Sequence, residues 1–174
     1  MATHNLLLAL GPDVYLEVIC ADPKAAAPTR PRWFGLDRVR PGTPARLAAW
    51  VASTDDIAEA AVAELGEVET MRREHHVWQM TVRADGGLPL DGAAPLLIQR
   101  AAGADPVAAL PPTGLVLQCL RIRHPEPARV RALFARIGLV TRPEVMVTQG
   151  DTCSLVAVVD TPFGPRMLGE KEQT

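Results

Sequence analysis

The chain is short of aromatic residues, lysine and cysteine, and each shortage narrows what it can be. It holds three Trp, three Phe and one Tyr among 174 residues, yet 48% of it is hydrophobic. A sizeable core is therefore available, built from Ala, Val and Leu. Lysine is rare beside arginine, and the net charge is −2. That balance excludes a general surface for nucleic acid or anionic membrane. The wealth of Ala, Arg and Pro is that of a GC-rich bacterial genome. Three cysteines, Cys20, Cys119 and Cys153, are odd in number, far apart and without C-x-x-C spacing. This excludes a disulfide framework and points to a reducing cytoplasm, each thiol reading as a small buried hydrophobe in a strand. No apolar run reaches the ~18 residues of a membrane span. The leucines after Met1 lack the basic flank and the length of a secretory core. The expectation is a soluble, cytoplasmic protein. Sequences of the H-x-x-x-H, P-loop, G-x-S-x-G and G-x-G-x-x-G kinds are lacking too, so tetrahedral zinc, nucleotide phosphate and serine-nucleophile sites have no visible scaffold.

What is present is a repeated grammar. "RLAAWVASTDDIAEAAVAELGEV" (Arg46 to Val68) and "LVLQCLRIRHPEPARVRALFARIGLV" (Leu115 to Val140) each read as strand, cap, amphipathic helix and terminal glycine. Ser53 with Asp56 three residues on makes a capping-box pattern. Pro125 or Pro127 suits the first turn of the second helix, with His124 as its cap. Ala58, Ala61, Val62 and Leu65 form one stripe, and Val130, Leu133, Phe134 and Ile137 form the same stripe. Gly66 and Gly138 stand where left-handed C-caps are expected. The coincidence of strand, cap, stripe and stop predicts an internal repeat.

Strands surround these units. "THNLLLALG" and "VYLEVICA" predict a β-hairpin turning at Gly11-Pro12-Asp13. "EVETMRR" and "HHVWQMTVRADGG" predict a strand pair broken near Glu74, with "APLLIQRAA" as a third strand. "EVMVTQG" and "DTCSLVAVVDTP" predict a hairpin around Gln149-Gly150-Asp151, and "FGPRML" an edge piece. Asp22 to Pro44 is a Pro-rich connection whose Trp33-Phe34 pair anchors it by packing. Ala101 to Thr113 is a plainer linker, and the tail "GEKEQT" reads as frayed.

The β-α-β-β-β pattern, with "THNLLLAL", "VYLEVI", "PRWFGLD", "STDDI", "DGGLPLDGAAPLLIQR" and "RIRHPEPARVRALFARIGL", resembles the glyoxalase-like domain of the vicinal oxygen chelate (VOC) superfamily. The resemblance implies an α+β fold of repeated β-α-β-β-β modules forming a curved mixed sheet around a cavity. The expected layout is one glyoxalase-like domain over 1–174. It comprises a residual hairpin of a first module at 1–21, lacking its leading strand and helix, and the Pro-rich connection at 22–44. A complete module follows at 45–104 and a β-α-β-β unit at 114–168. Metal-dependent members place His or Gln and Glu on the first and last strands of each module. Here Glu17 falls at the glutamate position of the first module, and Gln99, otherwise Leu97, at the end of the second. The position near Ala49 carries no ligand, and the leading strand of the first module is absent.

Glu17 shares a strand face with Tyr15 and Ile19, and a carboxylate on an apolar inward face needs a partner, a metal or water. It is a candidate ligand, catalytic base or structurally paired residue. His4, in the same hairpin, is a candidate base or orienting group, or a strand-end residue bonded to backbone. His75 and His76 point to opposite faces and cannot chelate together. His76 and Trp78, with Tyr15 and Trp50, are candidate pocket residues. Three readings follow. The first is a protein binding a small molecule in the cavity, with no cofactor required. The second is a metal-dependent lyase, isomerase or dioxygenase using a divalent ion at Glu17 and Gln99. The third is a homodimer that covers the exposed sheet edge.

Overall fold

The computed structural model of the protein describes residues 1–73, 76–139 and 145–169. It is a mixed α+β structure, mostly strands in curved mixed sheets with few helices. Strands β1 (Thr3–Ala9) and β2 (Tyr15–Ala21) form an antiparallel hairpin. It is closed by the Leu10 N–H donating to the Val14 carbonyl at 2.8 Å across the Gly11-Pro12-Asp13 turn. A central sheet follows from β3 (Val51–Ser53), β4 (Glu67–Arg73), β5 (His76–Val82) and β6 (Leu96–Arg100), in the order β3-β6-β5-β4. A C-terminal sheet contains β7 (Val116–His124), β8 (Val145–Gln149), β9 (Ser154–Asp160) and β10 (Arg166–Gly169), in the order β10-β9-β7-β8. Among the described residues no helix is long and apolar enough to cross a membrane. His75 and the break at Glu74 lie outside the described residues, as does the tail beyond Gly169.

The central and C-terminal units each open on a strand followed by a helix, and their strand orders differ after that. In the central sheet the strand that follows the helix lies at the opposite edge from β3. In the C-terminal sheet β8 lies directly beside β7, in parallel from Leu120↔Val145 to His124↔Gln149. The hairpin expected around Gln149–Asp151 therefore does not form. Strand β7 sits between β8 and β9 and uses both of its edges, one for each.

The two helices also differ. Helix α2 (Pro127–Arg136) has Pro127 in its first turn, and the His124 ring accepts from the Glu126 N–H at 2.9 Å just ahead of it. Its predicted stripe is buried throughout: Val130, Leu133, Phe134 and Ile137. Val130 and Phe134 pack on the C-terminal sheet, while Leu133 and Ile137 join Ile57, Leu65 and Leu97 of the central unit. Helix α1 is only Ile57–Ala60, because the chain straightens at Ala61 and Val62 before a 3-10 turn at Ala63–Leu65. The 3.6-residue period cannot cross that extended pair. The buried positions are Ile57 and Leu65, and Ala58 is exposed. Its cap is Asp56 itself, which accepts from the Glu59 N–H at 3.0 Å, rather than a box built on Ser53. Gly66 has φ +99° and ψ −171°, outside the left-handed helical region that Gly138 approaches with φ +65°.

The Pro-rich connection folds onto the inner face of the central sheet. Trp33 and Leu36 are buried there against Met80, Val82 and Leu96. The Phe34 ring lies 5.4 Å from that of Trp33. Arg30 pairs with Glu69 of β4 at 2.5 Å, which ties the loop down. No space for a water molecule remains between Trp33, Phe34, Met80, Val82 and Leu96. At this end the chain fills its own sheet.

Candidate functional site

The other end of the inner face is polar. Along β1 and β2, side chains alternate. Asn5 and Leu7, with Tyr15, Glu17 and Ile19, are partly buried, whereas His4, Leu6, Leu8, Val18 and Cys20 are exposed. The partly buried face meets the ends of β4 and β6. Asn5 Nδ2 donates to Glu17 Oε1 at 2.6 Å. Arg73 donates through one terminal nitrogen to Asn5 Oδ1 at 2.7 Å and through the other to the Thr3 carbonyl at 3.2 Å. Arg100 donates to the Tyr15 hydroxyl at 2.6 Å, its guanidinium carbon 5.9 Å from the centre of the Tyr15 ring. Among the described residues the Thr3 hydroxyl is buried without a hydrogen-bond partner.

Two physical features mark this cluster. Both guanidiniums are held by neutral acceptors, namely an amide oxygen, a carbonyl and a phenol, which leave their charge available to an anion. A buried hydroxyl without a partner is also costly and uncommon in a folded protein.

Burial pushes the Tyr15 phenol above its ordinary pKa of 10.0; Glu17 and Asp105 add to the rise, and Arg100 opposes it. Tyr15 is the sole tyrosine, so tyrosinate absorbance reports on it alone. The folded state holds the proton more tightly than the unfolded state does. The stabilising contribution is therefore complete below pH 10 and is lost as pH rises through the folded-state value. Alkaline titration of the native protein should give a midpoint above 10 that falls on unfolding in denaturant. A native midpoint at or below the unfolded one would contradict the assigned environment.

The expected site residues separate. Glu17 and Tyr15 belong to the cluster. His4 does not join them, because it opposes Cys20 while Glu17 opposes Leu7, and the two side chains leave opposite faces. Gln99 is occupied on both ends of its amide: Oε1 accepts from the Ile57 N–H at 2.9 Å, and Nε2 donates to the Asp55 carbonyl at 2.6 Å. It clamps the start of α1 instead of facing a ligand, and Leu97 is buried behind the sheet. Trp50 is half-buried and packs against the core, its ring edge-on to Phe134 at 5.6 Å and its indole N–H donating to the Ala93 carbonyl at 3.2 Å. Trp78 packs beside the Trp33 cluster and lies between Met71 and Arg100 in the sheet. His76 is an exposed strand-end residue opposite Arg73.

A divalent metal is not fitted by these donors. Glu17 stands with an amide and a phenol, His4 is on the far face and Gln99 is engaged. Among the described residues no three His, Cys, Asp or Glu side chains gather as a metal would need. Asn5, Thr3, Arg73 and Arg100 were not singled out from the sequence. Asn5 carried a readable signal, as a polar residue at an inward position of a leucine strand. The arginines carried none, since each ends a strand whose partner is set by register.

A model of the family described as glyoxalase-like domain matches residues 1–138 of the chain. Comparison with curated proteins gives no match. Comparison with solved structures gives none either.

Proposed function

The chain belongs to the glyoxalase-like domain family, and from that premise we propose that it binds a small oxygen-bearing acid between the hairpin and the central sheet. Arg73 and Arg100 would take the acidic group, exchanging neutral acceptors for a charged one. Glu17, oriented by Asn5, would accept a hydroxyl of the same molecule. The Tyr15 phenol, protonated at neutral pH as any tyrosine is, would supply a hydroxyl. The observation that carries the reading is the pairing of both arginines with neutral acceptors, Arg100 in a part-buried contact and Arg73 at the exposed rim. The family relationship and the buried, unpartnered Thr3 hydroxyl agree with it.

The test is a thermal-shift screen of small carboxylic and hydroxy acids, followed by calorimetry on those that raise Tm. A ligand that binds only the folded state raises Tm in proportion to the logarithm of its concentration. Arg100→Met keeps the apolar stem and removes the charged head; binding should weaken about tenfold or more. Divalent cations form a second arm, with Glu17→Ala as control, and no stabilisation by them is expected. A panel without a hit, or a hit that Arg100→Met and Arg73→Met both leave intact, defeats the proposal. A metal effect abolished by Glu17→Ala would favour the metal-dependent lyase, isomerase or dioxygenase reading instead.

A further inference from the structure

The outer face of the hairpin carries a different constellation. Cys20 is exposed, contrary to the buried hydrophobe expected of it. It lies directly opposite His4 in the ladder, and its Sγ is 2.7 Å from His4 Nε2. Directly opposed residues of an antiparallel pair hold their Cβ atoms ~4.5–5.5 Å apart, so the backbone itself fixes this contact. On the other side of the imidazole, Nδ1 is 4.0 Å from Asp22 Oδ1. Asp22 is set in place at the strand end. Its N–H donates to the Ala2 carbonyl at 3.0 Å, and the Lys24 N–H donates to its Oδ1 at 2.9 Å.

We propose that Cys20, His4 and Asp22 form a reactive-thiol site, with Cys20 as nucleophile, His4 as base and Asp22 as positioning residue. Thiol and carboxylate approach different ring nitrogens, so they stand on opposite sides of the imidazole. That arrangement suits a proton relay and cannot converge on one metal ion. For Nε2 to receive the thiol proton, the ring must carry its own proton on Nδ1, and the Asp22 carboxylate favours that tautomer and the imidazolium it becomes. Two residues along the same outer face, Leu6 and Val18 are paired and exposed at 76% and 59%. This apolar shelf beside the sulfur selects the reactant class: a small disulfide with an apolar body. In the reaction Cys20 Sγ attacks one sulfur of that disulfide and its proton moves to His4 Nε2. The reagent's S–S bond breaks and a mixed disulfide forms on Cys20. The departing thiolate takes the proton from His4, so one half of the reagent leaves reduced as a thiol while Cys20 is oxidised. The site is independent of the acid-binding cluster, which occupies the opposite face.

The test is the rate of mixed-disulfide formation with 4,4′-dithiodipyridine at neutral pH, with the modified cysteine located by peptide mass spectrometry. Cys20 should react before Cys119 and Cys153, and about tenfold faster than free cysteine. His4→Ala should slow Cys20 about tenfold or more and leave the other two unchanged, with added imidazole restoring part of the rate. Asp22→Asn should slow it by a smaller factor, and Asp22→Glu should restore it. The dianionic reagent 5,5′-dithiobis(2-nitrobenzoate), each rate taken relative to free cysteine, should show less advantage than the neutral one. His4 and Cys20 are exposed, and unchanged circular dichroism would separate lost reactivity from lost fold. A Cys20 rate equal to that of free cysteine, or one indifferent to His4→Ala, overturns the proposal.

Discussion

Replacing Phe134 by Ala should cost about 3–5 kcal/mol of folding stability. Phe134 is 1% exposed and meets the edge of Trp50 at 5.6 Å and 77°. It lies in the cluster of Leu120, Ile122, Val130 and Leu155. Truncation removes the transfer term and the dispersion contacts of a whole ring. It also removes an aromatic pair contributing about 0.5–1.5 kcal/mol beyond its area. Helix α2 is ten residues long, too short to persist in water without its packed face. Its stripe joins the central and C-terminal units, so the loss is felt in both. Against a typical total of about 5–15 kcal/mol, such a change moves the protein close to unfolding. Urea denaturation should show a lower midpoint with an unchanged slope. A shift below about 1 kcal/mol would remove Phe134 from the core.

Gly66→Ala should destabilise by about 3 kcal/mol or more, through backbone rather than side chains. A Cβ on Gly66 would lie 2.4 Å from the Val82 carbonyl carbon and oxygen and 2.6 Å from the Arg83 nitrogen. Those atoms end β5 and cannot turn away as a side chain would. The backbone at φ +99° and ψ −171° is also a conformation that glycine alone tolerates. Gly138→Ala is the control. Its φ is +65° and no described residue lies within 4 Å of the added carbon, so the expected cost is the left-handed penalty, about 1–2 kcal/mol. Chemical denaturation of the two variants side by side should give clearly unequal losses. Equal losses would mean that the close approach to β5 does not exist.

These two glycines show where sequence reading stops. Both end an apolar stripe and invite the same C-cap, yet α1 gives way at Ala61 while α2 runs its full stripe. The Ala- and Glu-rich run after Asp56 has high helix propensity, but the chain straightens and still buries Leu65 completely. The candidate site divides in the same way. Alternation along β2 placed Tyr15, Glu17 and Ile19 on one face, and that alternation holds. The sequence places His4 in the hairpin beyond Glu17 without naming its neighbour, and the register pairs it with Cys20. Gln99 presented an amide at a promising strand end, but the start of α1 engages both of its ends.

By itself, the sequence determined the hairpin and its turn, the face that carries Glu17, the buried stripe of α2, the packing of Trp33 and the likeness to glyoxalase-like domains. These depend on local periodicity, turn chemistry or short motifs, which a linear chain carries directly. Tertiary structure alone decided that β7 separates β8 from β9, that Arg73 and Arg100 meet Asn5 and Tyr15, and that Cys20 meets His4. Such pairings join residues distant along the chain, and a shift of one residue in register reverses the face of every side chain on a strand. That choice is made by the whole set of packed elements at once and is written in no single segment.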